Sequence, residues 1–378
     1  MNHTRGDRKG LAQNAMRPKF ILEPCLYRQL KQRVSEFFDE TGQSRQGGIV
    51  GKALIMLGWF ALSYTTMLLA ETIEMRLTAA VSLGAAAAGV GFNIFHDSNH
   101  HGFSRSKACN DTTAIFCCLL LGPSRFLWQQ KHHVFHHRFT NLHAWDDDIE
   151  TRGSLRLSPD QPHQPWHRLQ PFYWPVIYAA ATVEWFFIKD FKQYFTGRLN
   201  PYLDLPTMTL AQHSEFWLTK FVYVVGFVAL PVWVLGVWSA LGALALFHVV
   251  FGLILTCVFQ LAHMNDVTEF PHLSADERTV EEEWAVHQLR TTADFAPDNV
   301  LAAWYFGGLN FQVEHHLFPG VSHRHYPALA RIVAEAARDH GLPYNVYPSW
   351  RAALRGHMNN IGRLAHPSGN GVSNREAV

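Results

Sequence analysis

Cysteine is scarce in this chain, and what there is does not pair. The five residues (Cys25, Cys109, Cys117, Cys118 and Cys257) form no CxxC motif and no even framework, which excludes a disulfide-stapled scaffold and fits a reducing compartment. Neither sign of charge is in excess. Against 32 Lys and Arg stand 31 Asp and Glu, so no global field favours nucleic acid, and the 23 histidines titrate too near neutrality to make a fixed positive surface. The first fifty residues are polar and basic and hold no early apolar core, which excludes an ordinary cleavable signal peptide. Contiguous low-complexity histidine tracts are also missing; the histidines stand in separate groups between well-formed apolar segments.

Those apolar segments are the first positive signal. Hydrophobic residues make up 48% of the chain while mean hydropathy is −0.06, the balance expected when a few bilayer spans are joined to long polar parts. Four runs are long enough to cross a hydrocarbon core of roughly 30 Å at about 1.5 Å per residue: Ala53 to Ala70, Leu77 to Phe95, Phe221 to Trp238 and Ala240 to Ala262. They read as two hairpins, with short turns around Glu71 to Arg76 and at Ser239. Nearly all Lys and Arg lie outside those turns, so the positive-inside rule puts both termini and every histidine group in the cytosol; a bacterial inner membrane is the expected location.

A fifth apolar stretch, Phe172 to Ile188, contains Pro175 and Glu184 and runs into Lys189, Asp190 and Lys192, and is assigned as an interfacial or re-entrant helix. Ala114 to Leu121 is too short to span. The predicted fold is an all-α integral membrane protein: four transmembrane helices in two hairpins under a cytosolic helical cap. Residues 1–48 form a polar basic segment, 49–350 the membrane domain, and 351–378 a tail that is partly disordered, its last twenty residues being rich in Gly, Ser and Asn.

Three histidine groups flank the spans: His96, His100 and His101; His132, His133, His136 and His137; and His315 and His316 after Gln312. Helical neighbours lie three or four residues apart, so His96 with His100, His132 with His136, His133 with His137, and Gln312 with His315 and His316 can each face one point. A lone histidine on an apolar face is more often a satisfied core residue. Repeated adjacent pairs at helical spacing are not accounted for that way, and eight or nine converging imidazoles exceed what one ion uses, so a two-metal centre is expected. Imidazole suits zinc, copper, nickel and iron alike. Hydrolytic zinc needs only three protein ligands and a water, so this set fits redox work better.

The segments HDSNHHGFS (96–104), WQQKHHVFHHRFTN (128–141) and GGLNFQVEHHLFPGVSHRHYP (307–327) resemble the three histidine boxes of the membrane fatty-acid desaturases, in the front-end or acyl-lipid, delta-6-like branch. HQLRTTADF (287–295) fits the same branch, and the resemblance runs from roughly residue 50 to 350. It implies a di-iron oxidoreductase, similar to a linoleoyl-CoA desaturase, that uses O2 and two electrons to place a double bond in a long acyl chain carried on lipid, CoA or a carrier protein. The ligand set it implies is His96, His100, His132, His136, His137, His263, His315 and His316. Gln312 is implied as a catalytic residue, either a weak ligand or a hydrogen-bonding group near the metals. His101 and His133 stand where the family often has other residues and are assigned to hydrogen bonding or solvation. Asp97, Asp146, Asp148 and Asn141 are candidates for the groups behind the ligands, which orient metal-bound imidazoles.

No HPGG haem motif precedes the first span, and His366-Pro367-Ser368-Gly369 comes too late to build one, so electrons are expected from a separate ferredoxin or cytochrome b5. The expected partners are therefore a fatty acyl substrate, O2, that carrier and membrane lipids. Two alternatives stay open from sequence. One is a hydroxylase or acetylenase on the same scaffold; the other is a non-catalytic metal-binding membrane protein, which would carry ligands within its spans, where only His248 lies.

Overall fold

A chain inside hydrocarbon must satisfy its own backbone polar groups, and this one does so almost entirely with helices. The computed structural model describes residues 17–273 and 277–367. In order the helices are α1 (Cys25–Thr41), α2 (Val50–Leu69), α3 (Ile73–Asn99), α4 (Lys107–Leu121), α5 (Arg125–Gln129, continued by a π-helical turn, Gln130–His136), α6 (Gln170–Glu184, continued through Trp185–Lys189 and Asp190–Thr196), α7 (Leu210–Leu235), α8 (Val237–His263), α9 (Trp284–Thr291), α10 (Val300–Tyr305), α11 (Gln312–Leu317), α12 (Tyr326–Asp339) and α13 (Trp350–Leu364). Two-residue strands β1 (Lys19–Phe20) and β2 (Thr279–Val280) pair in parallel, as do β3 (Asp294–Phe295) and β4 (Val346–Tyr347).

Among the described residues, α2, α3, α7 and α8 are the four helices long and apolar enough to cross a membrane. Their limits correct the sequence reading. The α7–α8 turn falls at Gly236 rather than Ser239, because Gly236 takes φ +75°, a conformation that stops a helix and that glycine adopts without steric penalty. The third span is therefore Leu210–Leu235 instead of 221–238, and the fourth starts at Val237. At the other end α3 does not stop before the first histidine group: His96–Asn99 continue it, buried against protein rather than lipid.

Small residues let the spans approach closely. A β-carbon on Gly84 would lie 2.7 Å from the Phe247 carbonyl of α8, and one on Gly252 would lie 2.6 Å from the Ala179 carbonyl of α6. Thus α8 packs lengthwise between α3 and α6. Pro175 sits inside α6 without ending it. A buried pair fixes the far end of α6: Lys220 Nζ of α7 lies 2.6 Å from Asp190 and also donates to the carbonyls of Gly122 and Phe186, while Asp190 accepts from the Ser124 N–H.

The polar ends of the chain are folded too. Leu26, Leu30, Val34 and Phe38 repeat every four residues along one face of α1, and they bury against α9, α11 and α12. The Glu283 carboxylate accepts from the Leu26 and Tyr27 N–H groups, tying the start of α1 to the cap. The 1–48 segment is thus no separate unit beyond Arg17, where the described residues begin. Likewise α13 folds the first half of the expected tail, because Ala353, His357, Ile361 and Leu364 form a buried stripe and Arg156 donates to the carbonyls of Leu364 and His366. Residues 368–378 lie outside the described residues.

Candidate metal centre

Two local departures from α-helix set the site's register. Gly91–Phe95 form a π-helical turn just before His96, pinned where Asn93 donates to the carbonyls of Gly89 and Tyr305. Gln130–His136 form another, in which the His137 N–H reaches the His132 carbonyl five residues back. This wider turn brings His132 and His137 onto one face, with their Nε2 atoms 3.1 Å apart. His133 is rotated aside, half-buried, with its ring 4.2 Å from that of His100. The α-helical pairing of His133 with His137 read from the sequence is therefore replaced by His132 with His137.

Four distant segments meet here. His96, His100, His132 and His315 hold ligand nitrogens within 4.8 Å of one another, and so do His136, His263 and His316. The His96 and His132 Nε2 atoms are 3.2 Å apart. His137 bridges the two groups, its ring 4.6 Å from His315 and 4.3 Å from His316. Gln312 sits with the second group, its Nε2 3.0 Å from His263 Nε2.

The nitrogens divide by partner. The outward Nδ1 of His136 meets Asp146 at 3.1 Å, that of His316 meets Gln288 Oε1 at 2.8 Å, that of His315 meets the Tyr326 hydroxyl at 3.3 Å, and that of His263 meets the Thr291 carbonyl at 3.3 Å. The inward Nε2 atoms of His100, His136, His315 and His316 are buried and have no protein partner, nor does Gln312 Oε1. Native proteins rarely bury so many polar atoms unsatisfied. Imidazoles fixed by an acceptor on one nitrogen, with a bare nitrogen aimed inward, are the donor set of a metal centre, and they fit a pair of transition-metal ions.

Electrostatics agree. Burial, followed by crowding from neighbouring imidazoles, holds His100, His137, His315 and His316 well below the usual histidine range. Burial also lowers His132, with partial compensation from Asp148. These rings are neutral and keep their lone pairs. His136 goes the other way: burial would lower it, but Asp146 and Asp148 outweigh burial and raise it.

Residues expected behind the ligands take different places. Asp146 holds His136 and accepts from the Asn141 N–H. The Asn141 amide donates to the carbonyls of His263, Glu269 and Thr291, joining α5 to the end of α8 and to α9. Asp148 pairs with Lys131 at 2.8 Å and lies 3.4 Å from His136. Asp97 meets none of the clustered imidazoles; it binds His323 Nδ1 at 2.8 Å, whose Nε2 is 2.9 Å from Lys52 Nζ. His101 is exposed at φ +62° and stands outside both groups. Sequence reasoning assigned no role to Gln288, Thr291, Thr140 or Tyr326. Gln288 and Thr291 lie in HQLRTTADF, the signal that could have found them; Thr140 donates to Gln288 Oε1 at 3.0 Å.

A cavity of about 520 Å³ opens onto this centre. His132, His136 and His263 are part of its lining; Trp128, Trp185, Leu255 and Phe259 form apolar walls; and the Arg152–Glu184 ion pair, 2.8 Å, stands among its lining where the chain is partly exposed. A second, small cavity of about 30 Å³ beside His96 shares those four walls.

Fold and site together define a helical membrane protein whose buried histidine clusters fit metal binding beside an apolar cavity. The family model for fatty acid desaturases matches residues 74–348. The sn-1 linoleoyl-lipid 6-desaturase of Synechocystis is 33% identical over 350 residues, covering 90% of this chain and 95% of that protein. The acyl-lipid (8-3)-desaturase of Physcomitrium patens is 34% identical over 89% of this chain and 71% of its own length, and the sn-1 linoleoyl-lipid 6-desaturase of Arthrospira platensis 33% identical over 80% and 82%. The chain belongs to the fatty acid desaturase family. It is an oxidoreductase that acts on fatty acyl chains with O2.

Proposed function

We propose that this chain is a front-end acyl-lipid desaturase, placing a cis double bond between an existing one and the carboxyl end of a lipid-linked chain, at the delta-6 or delta-5 position. The observation that carries this reading is the pair of buried imidazole groups, three of whose members, His132, His136 and His263, line a largely apolar cavity. The names of the relatives support the front-end position and the lipid carrier.

The residues that would hold two irons are His96, His100, His132 and His315 for one, and His136, His263 and His316 for the other, with His137 between them and Gln312 beside His263. When bound, the irons supply the O2 activation that removes two hydrogens from an unactivated acyl chain. The balance is one CH2–CH2 unit, one O2, two electrons and two protons giving one CH=CH unit and two waters.

The chain's own residues do the rest. Trp128, Trp185, Leu255 and Phe259 exclude water and hold the acyl segment. Each buried methylene contributes about 0.8 kcal/mol, so a long chain gains on the order of 10 kcal/mol toward fixing one carbon pair at the metals. A one-methylene slip is worth only roughly 1 to 3 kcal/mol, so the position of the double bond depends on contacts spread along the cavity rather than on one residue. Lys and Arg outside the span-joining turns support a cytosolic site and cytosolic termini. Trp233 and Trp238, 83% and 85% exposed around Gly236, suit an aromatic belt at a membrane interface.

The test is expression in a host fed oleate or linoleate, with lipids analysed by gas chromatography and mass spectrometry. A new double bond on the carboxyl side of the existing one is expected. A hydroxylated or acetylenic product, or an unchanged profile from iron-loaded protein with a competent reductant, rejects the reading.

A further inference from the structure

The metal centre has a second approach, chemically unlike the first. Sharing no lining residue with the first cavity, Lys19, Phe20, His133, His137, Arg138 and Trp284 line an open concavity of about 590 Å³. None of these residues lies on a span. Lys19 and Arg138 are exposed, and Arg17 stacks over Phe135 next to them, close enough to Arg138 that the like charge, after burial, disfavours its own. Among the described residues none of these three cations is in an ion pair. On the adjoining segment Glu282 pairs with His287 and Arg290, Glu283 is held at the start of α1, and Glu281 is exposed.

At the floor is His137, whose Nε2 is 3.1 Å from His132 Nε2 and whose carbonyl accepts from Trp284 Nε1–H at 3.1 Å. A wide basic rim with an aromatic at its edge and a ligand-set imidazole at its floor does not suit an acyl chain. It suits a small protein that carries negative charge around a redox group and must come close to the metals without entering the lipid cavity.

We infer that this concavity is the docking face for an acidic ferredoxin, which delivers one electron at a time. Two successive encounters oxidise two reduced ferredoxins and supply the two electrons of the balance given above. This inference rests on the desaturase reading, because the O2-dependent dehydrogenation proposed above is what calls for that input.

The experiment uses the full chain, iron-loaded, in nanodiscs of neutral lipid, with a plant-type 2Fe–2S ferredoxin as probe in surface plasmon resonance. Wild-type binding is expected to weaken steeply as salt rises, and the K19E/R138E variant to bind at least tenfold more weakly with a flatter salt dependence. Its iron content and its turnover with a small-molecule reductant are expected to stay unchanged, which excludes misfolding. Carbodiimide coupling of ferredoxin carboxylates to the wild type is expected to map to Lys19. Wild-type affinity in the reversed variant, cross-links confined to another face, or binding of cytochrome b5 but not ferredoxin overturns the proposal. So does charge reversal that removes binding to phosphatidylglycerol vesicles while leaving ferredoxin bound, since that marks a lipid-headgroup site. Product formed with the small-molecule reductant alongside any of these results leaves the desaturase reading standing; no product under that reductant removes it.

Discussion

At the residue scale the candidate centre depends on acceptors that are not themselves ligands. Gln288 Oε1 lies 2.8 Å from His316 Nδ1 and also accepts from Thr140, so it fixes both the tautomer and the aim of His316. Removing such a partner typically costs 10 to 100-fold in metal affinity. Gln288→Leu is therefore expected to weaken iron retention by about that factor against a chelator titration, while α9 stays folded because its face toward Leu26 and Leu30 is untouched.

The buried imidazoles also make stability depend on pH. Burial, then His101 and Arg125, pushes His133 down to about 3, and burial pushes His357 to about 4; the clustered rings outside the spans shift the same way, His136 excepted. Unfolded histidine titrates near 6.5. Between 6.5 and the folded value the unfolded chain binds protons that the folded one refuses, so stability is full above about pH 6.5 and is lost as pH falls below it, by up to ~1.4 kcal/mol per unit per group. The Tm of the metal-free protein is expected to drop steadily from pH 7 to 5. Bound metal is expected to leave over the same range, since a protonated imidazole cannot ligate; a flat Tm would contradict the buried neutral state.

Among elements, what the sequence made legible and what it hid have physical causes. The four spans could be read because hydrocarbon imposes length and apolarity, and their ends could not because Gly236 acts through backbone conformation and His96–Asn99 are buried by protein instead of lipid. The histidine groups were plain in the sequence, but α-helical spacing mispaired the second one, since a π-helical turn leaves no mark in residue type. α1 carried a clear four-residue apolar repeat, and α13 a buried stripe interrupted by His357, both masked by a polar overall composition. The Lys220–Asp190 pair was equally invisible, as two charges thirty residues apart give no periodic signal. Breaking a buried pair leaves an uncompensated charge and costs about 3 to 5 kcal/mol. Lys220→Met is expected to destabilise the protein by that order in detergent unfolding, and adding Asp190→Asn to recover a large part of it. Equal losses in the single and double variants would show that the pair is not coupled.

For the whole molecule, the proposed function assigns metal holding and substrate holding to different elements. Every clustered imidazole comes from α3, the residue that follows it, α5 and its end, α8 or α11, whereas one long wall of the acyl cavity comes from α6, which contributes no ligand. The two functions should therefore be separable by mutation on α6. Ala181 lines the cavity there, and Ala181→Trp places an indole where acyl carbons would lie. Displacing even three methylenes forfeits ~2.4 kcal/mol at ~0.8 kcal/mol each, roughly 50-fold in affinity. The variant is expected to keep the wild-type iron content by plasma mass spectrometry while its turnover of long acyl substrates falls at least tenfold. Loss of iron together with activity would mean that α6 supports the centre directly. Undiminished turnover would instead place the acyl chain outside this cavity, on the side of His96 where Phe92, Phe95 and Leu121 line the smaller space.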